Sequence, residues 1–316
     1  MHRDKKITVI IPAFNVEKFL SKSVESALIQ KEVGEIIIVE DGSTDNTLKI
    51  AESFSFRNNR IKVLTHPNNV NRGRGATRNL GIQNANYDLI AFLDADDYFL
   101  KGRFTNDLNI LTDKSVDGVY NAVGFNFYRE IKPGEEIHFK PNTLSKKLAP
   151  ENLFEGIVSS KYGYLHLNGL TVRRESLIRL GLFNESLKVT QDSDLIFKLS
   201  LKYRLCPSII DIPSSMRGIH DDNVFNKSEV YIEYNPKLFE SLVVWSLENE
   251  IPMDRIDLLL QWLWHHKFKQ RLNLLQESIY WLKLIINNPI LLTSSLSIKY
   301  FPIVRKRKQI FSFLYQ

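Results

Sequence analysis

The chain opens on a nearly unbroken β-branched run, Ile7-Thr-Val-Ile-Ile11, the pattern of a strand buried on both faces of a parallel sheet. Pro12 is expected to end it. From Val16 to Gln30 the apolar residues Phe19, Leu20, Val24, Ala27 and Leu28 fall at helical spacing. A second buried strand, Glu35-Ile-Ile-Ile-Val39, stops at Glu40-Asp-Gly, and Ser43-Thr-Asp-Asn-Thr47 offers N-cap residues for a helix through Phe54. Ile61-Lys-Val-Leu64 reads as a third strand and Ala76 to Asn84 as a helix. Leu89-Ile-Ala-Phe-Leu93 is a fourth strand, ending on Asp94-Ala-Asp-Asp97. This alternation predicts an α/β domain with a mainly parallel sheet. Ligands bind such sheets at the carboxyl ends of strands, and the ends here carry Pro-Ala-Phe-Asn, Glu-Asp-Gly-Ser and Asp-Ala-Asp-Asp.

The middle of the chain mixes strand-like pieces, Gly118 to Tyr128 and Ile209 to Ile212, with helices over Glu175 to Leu180 and Asp192 to Lys202. Pro150 to Tyr164 reads as a loop or short helix over the site. From Glu229 onward the pattern is almost wholly helical, which puts a domain boundary near Asn226, between 1–226 and 227–316.

Composition is that of a globular protein, with 43% hydrophobic and 25% charged residues in 316. The single cysteine, Cys206, excludes an intramolecular disulfide and a cysteine-based zinc site. Net charge is +6, but it is uneven. Asp254 to Gln316 holds ten Lys/Arg and three Asp/Glu, so the tail carries +7 and the rest −1. A neutral body argues against nucleic acid as a partner. The N-terminus runs into a strand pattern without the apolar core of a leader. The best candidate for a spanning helix, Ile279 to Val304, is broken by Lys283, Asn287, Asn288, Pro289 and Lys299.

Several groups could carry chemistry. Asp94 and Asp96 flank one residue at a strand end, where close carboxylates need a compensating cation. Asp-x-Asp there suits a Mg²⁺ or Mn²⁺ clamp on a diphosphate, and equally a solvated acidic turn. Glu40 and Asp41 could accept from a nucleobase or ribose, while Gly42 and Ser43 serve the turn and the next helix. The segment Asn71-Arg-Gly-Arg-Gly-Ala-Thr-Arg-Asn-Leu-Gly81 sets Arg72, Arg74 and Arg78 near a helix start, where a phosphate could sit. It lacks the third glycine of a dinucleotide fingerprint, and no P-loop is present. Asp192, in Gln191-Asp-Ser-Asp194, could be a general base or a helix N-cap. His220 could bind a metal, bind phosphate, or merely sit on the surface.

Taken together, Pro12-Ala-Phe-Asn15, Val39-Glu-Asp-Gly-Ser-Thr-Asp45, Gly75-Ala-Thr-Arg-Asn-Leu-Gly-Ile82, Phe92-Leu-Asp-Ala-Asp-Asp97 and Gly181-Leu-Phe-Asn-Glu185 with Gln191-Asp192 resemble the family 2 inverting glycosyltransferases of the GT-A fold. The resemblance runs in order from about Lys6 to Asn223. It implies a GT-A catalytic domain over 1–226, with the nucleotide-sugar side at about 1–115 and the acceptor side at about 116–226. The donor is expected to be a nucleotide sugar, UDP-linked in the first instance. Its nucleotide is expected to meet Pro12, Ala13, Phe14, Asn15, Glu40, Asp41, Arg74, Arg78, Asp94 and Ala95. Asp96 corresponds to the ligand of a divalent metal (Mn²⁺ or Mg²⁺), joined by His220, and Asp192 to the catalytic base. Glu40 departs from the family's Asp, and Gln191 stands where an acid often precedes the base.

The tail mixes Trp262, Trp264, Phe268, Leu272 and Trp281 with Lys267, Lys269, Arg271 and Arg305-Lys-Arg-Lys308. Tryptophan with Lys/Arg on helices fits a peripheral contact at the cytoplasmic face of a membrane. A helical cap or a homo-oligomer interface fits the same pattern. A lipid-linked or other saccharide acceptor in surface polysaccharide synthesis follows from the membrane reading. The competing functions are a sugar-nucleotide pyrophosphorylase, whose Gly-rich loop with Lys is missing, and an inactive binding protein of the same fold.

Overall fold

The computed structural model describes residues 6–133, 135, 143–223, 226–268 and 273–314. Lys269, Arg271 and Leu272 lie outside them. The chain divides into two compact units, Met1–Asn226 and Lys227–Gln316.

In the first unit the β-branched runs form the centre of a sheet. β1 (Ile7–Ala13) is followed by α1 (Leu20–Leu28), β2 (Val33–Glu40), α2 (Thr47–Arg57), β3 (Ile61–Thr65), α3 (Arg74–Gln83) and β4 (Leu89–Phe92). β1 lies between β2 and β4 and pairs parallel with both. Pro12 does not end β1: it stays in register with Val39. The pairing with β4 covers only Ile7 to Ile10, so the missing N–H of Pro12 leaves no ladder bond unmade on that side. Helix α3 rests on β1 through Gly81, where a Cβ would stand 2.6 Å from Ile10 Cγ2.

After β4 come β5 (Tyr98–Phe99), α4 (Thr105–Ile110), β6 (Gly118–Tyr120), β7 (Val123–Phe127), α5 (Pro150–Val158), β8 (Leu170–Arg173), α6 (Arg174–Leu180), α7 (Gln191–Lys202), β9 (Leu205–Pro207) and β10 (Ser215–Ile219). The larger sheet has seven strands in the order β3-β2-β1-β4-β8-β6-β9, parallel except where β8 meets β4 and β6. A smaller sheet, β5-β10-β7, lies apart from it in pairing. The strand expected over Ile209 to Ile212 is not one. Pro207 and Pro213 bracket the segment, Ile212 is exposed, and Ile209 gives its N–H to the Asn121 side chain rather than to a neighbouring strand.

The second unit is helical: α8 (Ser228–Glu248), α9 (Met253–Phe268) and α10 (Leu274–Asn287), followed by short turns. Asn273 and Gln276 form a reciprocal cap at the start of α10. Trp264 and Trp281 are buried and meet edge to face at 4.9 Å, with Tyr300 against Trp264. These two tryptophans therefore belong to the core of the unit and not to a surface. No helix among the described residues is long and apolar enough to cross a membrane.

Candidate active site

The ends of β1 and β2 are tied together before any ligand is considered. Asn15 donates its N–H to Ser43 Oγ at 3.0 Å, and its Oδ1 accepts from the Thr44 N–H at 2.8 Å. Glu40 turns its carboxylate back onto the N–H groups of Gly42 and Ser43. Asp41 accepts from the N–H groups of Arg72 and Gly73 at 2.7 and 2.9 Å, with His66 Nε2 at 3.6 Å. Gly42 sits at φ +76°, and a Cβ there would strike Asn69 O at 2.5 Å. Both acids at the β2 exit thus hold loops in place. Beside them Pro12 is half-buried, Ala13 is buried, and Phe14 presents a ring that is 46% exposed.

The Asp-rich segment after β4 splits into three environments. Asp94 accepts from Arg78 Nη2 at 2.5 Å. Burial pushes its carboxyl up, but the positive charges of Arg78, His166 and Arg74 outweigh this and hold it at about 2. Arg78 is only 2% exposed, and its Nε and Nη1 have no partner among the described residues. Asp97 accepts from the Gly218 N–H at 2.7 Å and from Asn168 Nδ2. Burial, reinforced by the neighbouring Asp96 and Asp94 carboxylates, raises its acid well above the usual range. Asp96 points elsewhere: its Oδ2 lies 3.0 Å from His220 Nε2 and 3.3 Å from Asn223 Nδ2. Phe19 stacks on the His220 ring at 4.9 Å.

The opening of α7 is set by Asn79 on α3. Its Nδ2 donates to Phe183 O and Glu185 Oε1, and its Oδ1 accepts from the Phe183 N–H. Thr190, with φ +65°, then turns the chain into α7. Asp194 is buried and paired with Lys198 at 2.7 Å. Asp192 is half-buried, and its Oδ1 accepts only from its neighbour Ser193 among the hydrogen bonds described. His166 and Arg217 feel both Asp192 and Asp94, so the α7 start and the β4 end share one electrostatic field.

Among the described residues, two donor sets could hold a cation. Asp94, Asp97 and His166 present ligand atoms within 4.8 Å of one another. The guanidinium on Asp94 and the two donors already on Asp97 oppose a cation there. Asp96 and His220 form the better pair. Their nearest atoms stand 3.0 Å apart as a hydrogen-bonded pair, so both could turn to one ion. A carboxylate with an imidazole is also a donor set that Mn²⁺ accepts.

The glycosyl transferase family 2 model matches residues 8–160. That segment, just under half of the chain, is similar to glycosyl transferase family 2. The minor teichoic acid biosynthesis protein GgaA of Bacillus subtilis is 32% identical over 202 residues, covering 62% of this chain and 43% of GgaA. The chain spans 37% to 43% of the length of four of its curated relatives, GgaA among them. Among solved structures, S. aureus TarS 1-349 in complex with UDP-GlcNAc superimposes with a TM-score of 0.62 at 20% identity, over 84% of this chain and 73% of that one. The mannosyltransferase PcManGT of Pyrobaculum calidifontis, in complex with GDP-Man and Mn²⁺, gives 0.53 at 16% identity, over 97% and 87%. The fold is the GT-A fold, with a helical C-terminal unit.

The first unit brings Arg78, Asp94, Asp96, Asp192 and His220 to one region through direct bonds or shared neighbours. Arg74 is exposed and reaches Asp94 only through its charge. Sequence reasoning did not single out Asp97, His166, Asn168 or Phe19 for the site. Asn168 joins the segments, with Oδ1 accepting from the Asp94 N–H and Nδ2 bonding Asp97. No motif marks it, because its partners lie 74 and 71 residues away in sequence.

Proposed function

We propose that the protein is an inverting glycosyltransferase. It moves a sugar from a nucleoside diphosphate sugar, UDP-linked in the first instance, to a hydroxyl of a saccharide or lipid-linked saccharide in surface polysaccharide synthesis. The observation that carries this reading is the meeting of Asp96 and His220, from just past β4 and β10, as a close carboxylate–imidazole pair. Held by these two residues, Mn²⁺ or Mg²⁺ would supply positive charge beside the diphosphate.

The chain's own groups do the rest. Phe14 offers an exposed ring at the β1 exit for the nucleobase, beside Pro12, Ala13 and Asn15. Glu40 and Asp41 act there mainly by shaping the pocket wall, since their oxygens already accept backbone N–H groups. Arg78, whose Nε and Nη1 have no partner among the described residues while Asp94 fixes its other arm, supplies the donor-side guanidinium. Asp192 takes the proton of the acceptor hydroxyl as the oxygen bonds to the anomeric carbon. The bond from that carbon to the diphosphate breaks at the same time, and its electron pair leaves with the nucleoside diphosphate. Attack from the opposite face inverts the anomeric centre. General-base assistance of this kind is worth about 10²–10⁴-fold. Asp194 is unsuited to the task because Lys198 neutralises it in the interior.

The test is incubation with a panel of UDP- and GDP-sugars, saccharide acceptors and Mn²⁺ or Mg²⁺, following nucleotide release and the anomeric configuration of the product. Product of inverted configuration supports the proposal. Retained configuration removes the single displacement, and no turnover or nucleotide binding with any donor removes the enzyme.

A further inference from the structure

Helix α10 has two apolar faces where a packed helix needs one. Trp281, Leu284 and Ile285 point into the second unit and are buried. Leu275, Ile279, Leu282 and Ile286 follow one another at intervals of four, three and four residues, so they form a single line along the helix. All four are exposed, between 45% and 69%. Beyond the helix, Ile290, Leu292 and Ile298 are exposed as well. A continuous apolar stripe facing water marks a contact surface.

The charge around the stripe says what it meets. From Ser278 to Gln316 the sequence contains six Lys/Arg and no Asp or Glu. The one acid on α10, Glu277, is buried and bonded to Lys306 Nζ at 2.5 Å. Lys283 is exposed, next to Leu282 and within a turn of Ile279 and Ile286. Lys299 pairs with Asp257 and Lys306 with Glu277, and an isologous dimer on this face would still bring Lys283 towards its own copy. An anionic lipid surface offers both an apolar layer for the stripe and negative charge for its flank. We propose that α10 lies in the plane of an anionic membrane, with Leu275, Ile279, Leu282 and Ile286 in the headgroup–acyl boundary and Lys283 among the headgroups. The buried Trp264 and Trp281 hold the helix from behind rather than touching lipid. This rests on the proposed function only in giving that enzyme a bilayer-borne acceptor.

The experiment is cosedimentation of the full chain with vesicles of phosphatidylcholine containing about 30% phosphatidylglycerol, and with phosphatidylcholine alone. Wild type is expected to bind the anionic vesicles, and less so in high salt. The Ile279→Ser/Leu282→Ser variant is expected to bind at least about tenfold more weakly. Lys283→Gln should lose affinity on the anionic vesicles only. The serine positions are already exposed, so helical content and turnover of nucleotide sugar should stay at wild-type levels. Equal vesicle binding by wild type and the serine variant would overturn the proposal. So would a wild-type dimer in sedimentation velocity that the variant dissociates, with no lipid binding by either. If no donor is turned over and the variant still loses vesicle binding, the docking surface stands and the catalytic reading falls.

Discussion

His220 Nε2 lies 3.0 Å from Asp96 Oδ2, although 124 residues separate them in the chain. The two arrive from different sheets, Asp96 just past β4 and His220 just past β10, and Asn223 completes the contact. Phe19 stacked on the ring limits how the imidazole can turn. Removing either residue should therefore abolish the metal dependence of nucleotide binding. Outer partners of metal ligands alone are worth about 10–100-fold in metal affinity, so Asp96→Ala and His220→Ala are expected to cost at least that. Calorimetric titration of UDP with and without Mn²⁺ reads it directly. An unchanged Mn²⁺ effect in Asp96→Ala removes it as a ligand.

Asp192→Asn keeps the shape of the side chain and removes its basicity. Transfer should fall by about 10²–10⁴-fold in kcat, while donor affinity stays within about twofold of wild type. Asp194→Asn, by contrast, leaves Lys198 buried without its charge partner and should lower the melting temperature. Wild-type transfer rates in Asp192→Asn would show that the proton goes elsewhere.

The central strands were legible because burial on both faces writes itself as uninterrupted β-branched runs, as in Ile7 to Ile11 and Ile36 to Val39. β8 and β10 were not. Leu170–Arg173 is four residues long, and Ser215–Ile219 mixes Ser, Arg and Gly with two apolar residues. Their strand character comes from the neighbours they pair with, which no local pattern records. The site divides the same way. Asp94, Asp96 and Asp192 stand out by spacing and by position at an element end. Nothing local to Asn168 or His166 tells that one bridges Asp94 to Asp97 and the other is buried beside Asp94. The tryptophans show the opposite error, since residues suited to an interface serve equally well in a core.

Arg78 should prove to be a binding residue whose geometry matters as much as its charge. A lysine there can still neutralise Asp94, but it cannot supply the Nε and Nη1 donors that find no partner among the described residues. Arg78→Lys should keep the fold and weaken nucleotide-sugar binding by about tenfold, the worth of a hydrogen bond to a charged group. Arg78→Met should do more, because it strands the Asp94 carboxylate. Asp94 keeps some solvent contact, so the expected stability loss is about 2 kcal/mol, below that of a fully enclosed pair. Thermal unfolding and donor titration of both variants separate the two effects. Equal donor affinity in wild type and Arg78→Lys would leave Arg78 a purely structural partner of Asp94.

His166 gives the site region a stability that fades in acid. Burial, aided by the Arg217 charge, holds its imidazole neutral down to about 4, despite the pull of Asp94 and Asp192. In the unfolded chain a histidine takes its proton near 6.5. Between these values the unfolded state binds more protons than the folded one, so stability falls as pH falls through this window. At about 1.4 kcal/mol per pH unit, the loss between pH 6.5 and 4 is on the order of 2–3 kcal/mol. Asp97 has the opposite sign. Its raised folded value means that it stabilises fully below the ordinary carboxylate range, and that this contribution is lost as pH rises through the folded value. The two can be told apart by variant. His166→Asn can still accept from the Asn168 N–H but does not titrate, so its denaturant midpoint should rise relative to wild type as pH falls from 6.5 to 4. Asp97→Asn should instead remove the loss of stability that accompanies rising pH above the ordinary carboxylate range. Parallel profiles for wild type and His166→Asn would mean that the imidazole is already charged in the folded protein.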